Sequence, residues 1–169
     1  MVNPTRRVAR AIVYRDFYEI PEFLLLLTPK YYWQNPQGGI EQHEVGEKGN
    51  QRAAYREGSE ETGLSRLVVE PHTRTTAQYI AKQTETPFVV DLVAYALKHT
   101  DQSERVILNM SNDVHLDHGW FDFEESLERL VRHPEQKQVF EQVTRLAGLA
   151  PIEMKKPKKW EDSRIAGYR

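Results

Sequence analysis

Apolar positions along the chain fall into short runs divided by polar, proline- and glycine-marked breaks, and the period of the runs changes from place to place. Residues 8–14 are small and β-branched and predict a first strand; 23–27 are apolar throughout, as a buried strand would be. The polar, proline-ended stretch 16–21 between them predicts a hairpin turn, and Pro29 closes the second strand. Residues 53–64 switch to helical spacing and stop at Gly63. A short strand at 67–70 follows, then a longer antiparallel pair at 73–80 and 88–97 around a polar loop at 81–87. The second member of that pair is nearly continuous in apolar residues, as a central strand is. Asp91 interrupts it; a buried aspartate is costly unless paired, so this one lies on a solvent face or beside the functional site. Residues 99–113 predict an exposed loop, 120–123 a last strand, and 123–131 the start of a helix. A final helix at Pro134–Leu146 would present Val139, Phe140, Val143 and Leu146 as its apolar face. This alternation predicts a layered α+β domain.

The length of 169 residues fits one domain over residues 1–150 with its own core, followed by a flexible basic tail over 151–169 with four lysines in five positions. The tail has a second reading, backbone contacts to RNA. A net charge of −2 argues against a general nucleic-acid coat while leaving room for a local basic pocket. Arg6, Arg7 and Arg10 cluster near the start and serve either solubility or a phosphate chain. No cysteine is present, which rules out disulfides and suits a cytoplasmic protein. Neither a signal peptide nor a membrane span is expected, because the longest purely apolar run is only 23–27.

The candidate chemistry sits on the helix expected at 53–64. Glu57, Glu60 and Glu61 stand at i, i+3 and i+4, so the three carboxylates share one side. Most such clusters are solvated faces, and on the helix alone that is the simpler account. The upstream Gly38–Gly39 pair changes the balance, since glycines allow unusual φ angles and let an ion or ligand approach the backbone. A divalent cation would relieve the repulsion among the carboxylates, and Mg²⁺ is the usual ion for an oxygen site that also holds phosphates. Arg56, four residues before Glu60, is placed to hold that carboxylate.

Residues 33–64 resemble the signature of the Nudix hydrolases, G-x5-E-x7-R-E-U-x-E-E-x-G-U with U a bulky aliphatic residue. Arg56, Glu57, Glu60, Glu61, Gly63 and Leu64 match its second half position by position. The preceding WQNPQGGI, residues 33–40, is similar to the opening of the branch that holds dinucleoside polyphosphate hydrolases and RNA 5′-pyrophosphohydrolases. The closing HGWFDF stretch resembles the same branch less specifically. Two departures stand out. Gly38 to Arg56 is four residues longer than the pattern, so either Glu44, five intervening residues after Gly38, or Glu47, in the Gly46–Glu47 pair, is the first glutamate of the box. Gly58 replaces an aliphatic residue at a cost of about 1 kcal/mol in helix propensity relative to alanine, which close packing of another backbone would explain.

The resemblance implies an α/β/α Nudix sandwich, a mixed sheet between helices, and Mg²⁺-dependent hydrolysis of a phosphoanhydride in a nucleoside polyphosphate, with Mn²⁺ able to substitute. Glu57 and Glu61 would be the principal ligands, and Glu60 a third ligand or the group that orients the attacking water. Glu44 or Glu47 would complete the shell with the Gly39 carbonyl, Arg56 would orient the glutamates, and Gly38, Arg10 and Tyr32 would meet the substrate. Tyr14, Tyr32 and Tyr79 are candidates for stacking a base, whereas Trp33 reads as core. His115 and His118 invite a ligand role, but the family needs no histidine ligand. Three readings follow: hydrolysis of a dinucleoside polyphosphate or a 5′-triphosphate RNA end; hydrolysis of a (deoxy)nucleoside triphosphate; and a non-catalytic regulatory domain, which the intact glutamates disfavour. Against RNA, the basic-aromatic segment of RNA-acting relatives has no match here. A homo-oligomer is compatible with all three.

Overall fold

Thr5–Phe17 forms β1, and its alternate residues enter two different layers: Ala9, Ala11 and Val13 on one side, Val8, Ile12 and Tyr14 on the other. Tyr18 and Glu19 then take φ of 47° and 67°, a two-residue turn whose twist suits a tight hairpin into β2 (Ile20–Leu27). The turn is therefore shorter, and both strands longer, than the polar stretch at 16–21 predicts. β3 (Trp33–Gln34) pairs with the end of β2, and β4 (Gln37–Gly39) pairs antiparallel with β1, setting Gly38 opposite Ala9 and Gln37 opposite Arg10. Trp33 packs against the core, edge-on to Phe121, as expected.

The expected strands at 67–70 and 73–80 are a single strand, β5 (Leu67–Ala81), with a register shift between Glu70 and Thr75. Thr73 carries the backbone across it: its hydroxyl donates to the Glu70 carbonyl and accepts from the Ala96 amide at 2.8 Å. β6 (Phe88–His99) is antiparallel to β5 and parallel to β1, and β7 (Asp117–Phe121), earlier than the expected 120–123, pairs with β2. Among the described residues the result is one mixed sheet of seven strands. Among the helices, α1 (Gly46–Thr62) covers the face of Ala9, Ala11, Val93 and Tyr95. The other face, with Ile12, Phe23 and Leu92, is covered by α2 (Phe123–Arg129) and α3 (Pro134–Leu146) through Leu127, Val139, Phe140 and Val143. These are the layers of the expected sandwich. This computed structural model describes residues 4–82, 85–108 and 115–152, so the basic tail lies outside the described residues from 153 onward.

Three local expectations are corrected. α1 begins at Gly46 rather than Ala53, because its buried stripe consists of small residues, Gly49, Ala53, Ala54 and Gly58, which give no apolar signal. Leu146 is 46% exposed and lies off the apolar face of α3. His99 is buried, and the described part of the loop after it is tied down: Glu104 accepts from the Ser65 and Arg66 amides, and the Ile107 amide donates to the Thr62 carbonyl at 2.8 Å. Asp91 is exposed.

The end of α1 follows the sequence. Gly63 takes φ 72° and its amide bonds the Ser59 carbonyl at 2.8 Å. The neighbours that crowd Gly58 are side chains, not another backbone: a Cβ there would lie 3.2 Å from that of Ala11, 3.3 Å from a Leu97 methyl and 3.4 Å from a Leu67 methyl. Gly58→Val is therefore expected to destabilise the fold by about 1–3 kcal/mol through overpacking, while Gly58→Ala stays near neutral because helix propensity offsets the crowding. Urea unfolding of both variants checks this.

Candidate active site

α1 and β4 bring the predicted residues together around one guanidinium. Arg56 Nε and Nη2 each donate to the Glu44 carboxylate at 3.0 Å, a two-pronged pairing. Nη2 also reaches the Gly39 carbonyl at 2.8 Å, and Nη1 bonds Glu57 at 2.5 Å and Glu60 at 3.4 Å. The Gln37 amide donates to Glu61 at 3.0 Å. Glu44, Glu57, Glu60 and Gly39 thus surround a single cation, with Glu44 and Glu57 buried and Glu60 exposed, while Glu61 is held by the Gln37 amide instead.

Gly38 is what lets Glu57 sit there. A Cβ at position 38 would overlap the Glu57 carboxylate. Gly38→Ala is therefore expected to displace a flexible side chain and leave the fold intact, while a shift of this kind costs activity on the order of 10²-fold. Comparing kcat with the thermal midpoint of the variant separates the two effects.

The electrostatics are strained by excess negative charge. Burial pushes the Glu61 carboxyl up to about 8, against the help of the Gln37 amide, and Glu57 and Glu60 add to the push. Burial likewise raises Glu57, although Arg56 partly offsets it. Glu44 is held below the usual carboxylate range by its hydrogen bonds from Arg56. Among the described residues no three acidic or histidine side chains already converge as a ready-made cage; the carboxylates grip Arg56 instead. The donor set nonetheless fits a divalent cation. It offers only oxygen, and Arg56 is shared among Glu44, Glu57 and Glu60 while half-buried Glu61 has no cationic partner among its hydrogen bonds.

The remaining candidates separate by position. Glu47 points away from Arg56: it accepts from the Tyr95 hydroxyl at 2.6 Å and pairs with Arg74 at 2.9 Å. Tyr14 is buried and bonded to Glu70, so it is not a stacking surface. His115 is buried against Gln34 at 3.2 Å. Tyr32 and Gly38 line a cavity of about 840 Å³ that runs from Gly38–Gly39 toward α3. Its rim carries the exposed cations Arg6, Arg7, Lys30 and Lys82; its walls include Tyr79, Phe88 and His133, the last edge-on to Tyr32. Arg10 is fully buried on β1 and donates to Gln37, a lining residue, at 2.7 Å. Sequence reasoning missed Lys30, Lys82, His133 and Gln136, since elements far apart in the chain bring them to one cavity and no local pattern marks them.

The family model described as NUDIX domain matches residues 4–143. Among curated proteins there is no sequence match. Solved structures share the fold. A C. elegans Ap4A hydrolase in a binary complex superposes with a TM-score of 0.69 at 23% identity, over 85% of this chain and 98% of that one. The E. coli dihydroneopterin triphosphate pyrophosphohydrolase gives 0.58 at 18%, over 84% and 97%. The Nudix domain of Shewanella oneidensis NrtR, complexed with ADP ribose, gives 0.60 at 13%, over 83% and 87%. Nudix hydrolases generally use divalent metal ions, in keeping with the oxygen donors around Arg56. With the family model covering the sheet, α1 and most of α3, the chain belongs to the Nudix family.

Proposed function

We propose that the protein hydrolyses a phosphoanhydride bond in a nucleoside polyphosphate with Mg²⁺, and that a dinucleoside polyphosphate is its preferred substrate. The observation that carries this reading is the junction at Gly38–Gly39, where under-compensated buried carboxylates from α1 meet a cavity rimmed by four cations. Glu57 and Glu61 would hold the metal, with Glu60 and the Gly39 carbonyl beside them. When bound, the cation would offset phosphate charge and acidify a water. Arg56 fixes Glu44, Glu57 and the Gly39 carbonyl in one arrangement, so that the carboxylates do not reorganise during the reaction. Glu44 is preferred to Glu47 as the first glutamate of the box, because Tyr95 and Arg74 already engage Glu47. Arg6, Arg7, Lys30 and Lys82 would receive the polyphosphate, and Tyr32 with Tyr79 would flank a base.

A second reading, a (deoxy)nucleoside triphosphate pyrophosphohydrolase, is favoured by the cavity volume, which lies in the range of a single small-ligand site. In the dinucleotide reading the second nucleoside extends beyond this cavity along the cationic rim. Product analysis with Mg²⁺ on diadenosine tetraphosphate, deoxynucleoside triphosphates and 5′-triphosphorylated RNA decides. ATP plus AMP from the dinucleotide supports the first reading, preference for one mononucleotide supports the second, and pyrophosphate release from RNA moves the assignment to an RNA end. No turnover of any of them sinks the proposal.

A further inference from the structure

β4 serves the carboxylates of α1 in three ways, yet it has little of its own to hold it in place. The Gln37 amide donates to Glu61 at 3.0 Å, and the Gly39 carbonyl accepts from Arg56 at 2.8 Å. Between them, the missing side chain of Gly38 makes room for the Glu57 carboxylate. The strand is three residues long and two of them are glycines, which add chain entropy and no packing. Gln37 carries the only side chain of the strand, and its register partner on β1 grips it: Arg10 Nε donates to Gln37 Oε1 at 2.7 Å. An arginine has no acceptor, so the Gln37 amide can turn only its oxygen toward it.

Arg10 itself is 1% exposed and its terminal nitrogens have no accessible surface, so it does not meet the substrate as the sequence leads one to expect. Tyr79 of β5 hydrogen-bonds its side chain, and Glu135 of α3 offsets part of its charge. Burying a guanidinium so completely is costly, and an apolar side chain of similar volume would pack there at less cost. Stability therefore does not account for the charge; the arrangement of its partners does. We propose that Arg10 is a positioning residue. Anchored to β5 and α3, it clamps Gln37 and so holds β4 where its main chain and Gly38 order Glu57 and Glu61 for a divalent cation. The inference rests on the reading of Glu57 and Glu61 as the metal-holding groups. Without the clamp, β4 keeps its ladder to β1 but gains freedom, and the two carboxylates lose the geometry in which one cation finds both. A misplacement of about 1 Å in such a site costs on the order of 10²-fold in rate.

Arg10→Met and Gln37→Met in the full chain, alone and combined, test this; both leave the main-chain amide of residue 37 in place. The measurements are Mn²⁺ binding without substrate, followed by its EPR signal, the thermal midpoint in a chelator, and kcat and KM on whichever nucleoside polyphosphate the wild type turns over. Arg10→Met is expected to weaken Mn²⁺ binding by roughly 10-fold or more and to lower kcat on the order of 10²-fold, with KM little changed. Its thermal midpoint should stay at or above that of the wild type, because a buried charge is gone. The double variant should bind Mn²⁺ no more weakly than Arg10→Met, since both changes break one connection. A merely structural arginine gives the opposite pattern, a lowered midpoint with Mn²⁺ affinity and kcat intact. That pattern, or additive losses in the double variant, overturns the inference. If Arg10→Met does not fold, Gln37→Met decides alone, and wild-type Mn²⁺ affinity in it overturns the inference. Wild-type turnover matched by Arg10→Met removes only the clamp. A wild type that neither binds Mn²⁺ nor turns over any nucleotide removes the hydrolase reading, and the clamp with it.

Discussion

Replacing Glu57 or Glu61 with glutamine is expected to lower kcat by roughly 10³-fold or more with the fold retained, a loss of the size seen when one preorganised electrostatic group leaves a catalytic site. Each change keeps the side-chain shape and removes one unit of negative charge. At Glu61 the neutral amide still accepts from the Gln37 amide, which donates to that side chain at 3.0 Å, so the packing at β4 survives. At Glu57 the amide still fits against Gly38, but its pairing with Arg56 weakens. What both variants lose is the charge that would draw a divalent cation to the end of the cavity. Apparent Mg²⁺ affinity, read from the metal dependence of the rate, should fall with kcat. If both variants hydrolyse nucleoside polyphosphates at the wild-type rate, the carboxylates of α1 are not the metal-holding machinery and the assignment fails.

The metal-free protein is expected to lose stability as the pH rises from about 5 to about 8, the reverse of the usual behaviour of a carboxylate in an ion pair. The Glu61 carboxyl stands at about 8 in the fold against an ordinary 4.5, chiefly through burial and secondarily through Glu57 and Glu60. Between those two values the folded chain keeps a proton that the unfolded chain has released. The slope of stability with pH is therefore negative across that window, and it flattens once the folded carboxyl has also ionised. The full effect is on the order of 5 kcal/mol, and Glu57, raised in the same direction, adds to it. Chemical unfolding in a chelator from pH 5 to 9 measures the fall. Glu61→Gln should remove most of it, and a divalent cation should restore stability chiefly at the alkaline end, where it takes the proton's place. A flat profile in the wild type would mean that Glu61 is hydrated rather than buried.

Much of this site was legible before any coordinates. The spacing of Glu57, Glu60 and Glu61 gave their common side, and Gly63 marked where α1 stops, because helical period and a left-handed cap are local properties. The choice between Glu44 and Glu47 was not local. Counting from Gly38 and counting from Arg56 favour different residues, and the answer depends on α1 starting at Gly46. That start left no apolar trace: Gly49 is buried because a Cβ there would strike the Glu44 backbone, so the contact selects absence of a side chain. The burial of Arg10 was not local either. An arginine in a basic N-terminal cluster serves either solubility or a phosphate chain, and only the pairing of β1 with β4 and the approach of α3 bury it. Glu104 shows the same limit, since a loop rich in polar residues gave no sign that one of them accepts from the backbone amides of Ser65 and Arg66, between α1 and β5.

The parallel pairing of β1 with β6 bears on the order in which the chain can fold. Thr5 stands in register with Val89, roughly eighty residues further on, so β1 waits for a strand synthesised much later to secure its inner edge. Meanwhile the β1–β2 hairpin can close through its own short turn, and α1 can form on local contacts. The cavity has Val8 on β1, Val90 on β6 and Gln136 on α3 in its walls, so it closes only when that long-range pairing is made. The cavity is thus a property of the completed sheet and α3 together. A nascent or truncated form ending before β6 would carry the complete run of glutamates on α1 and still lack the cavity beside them.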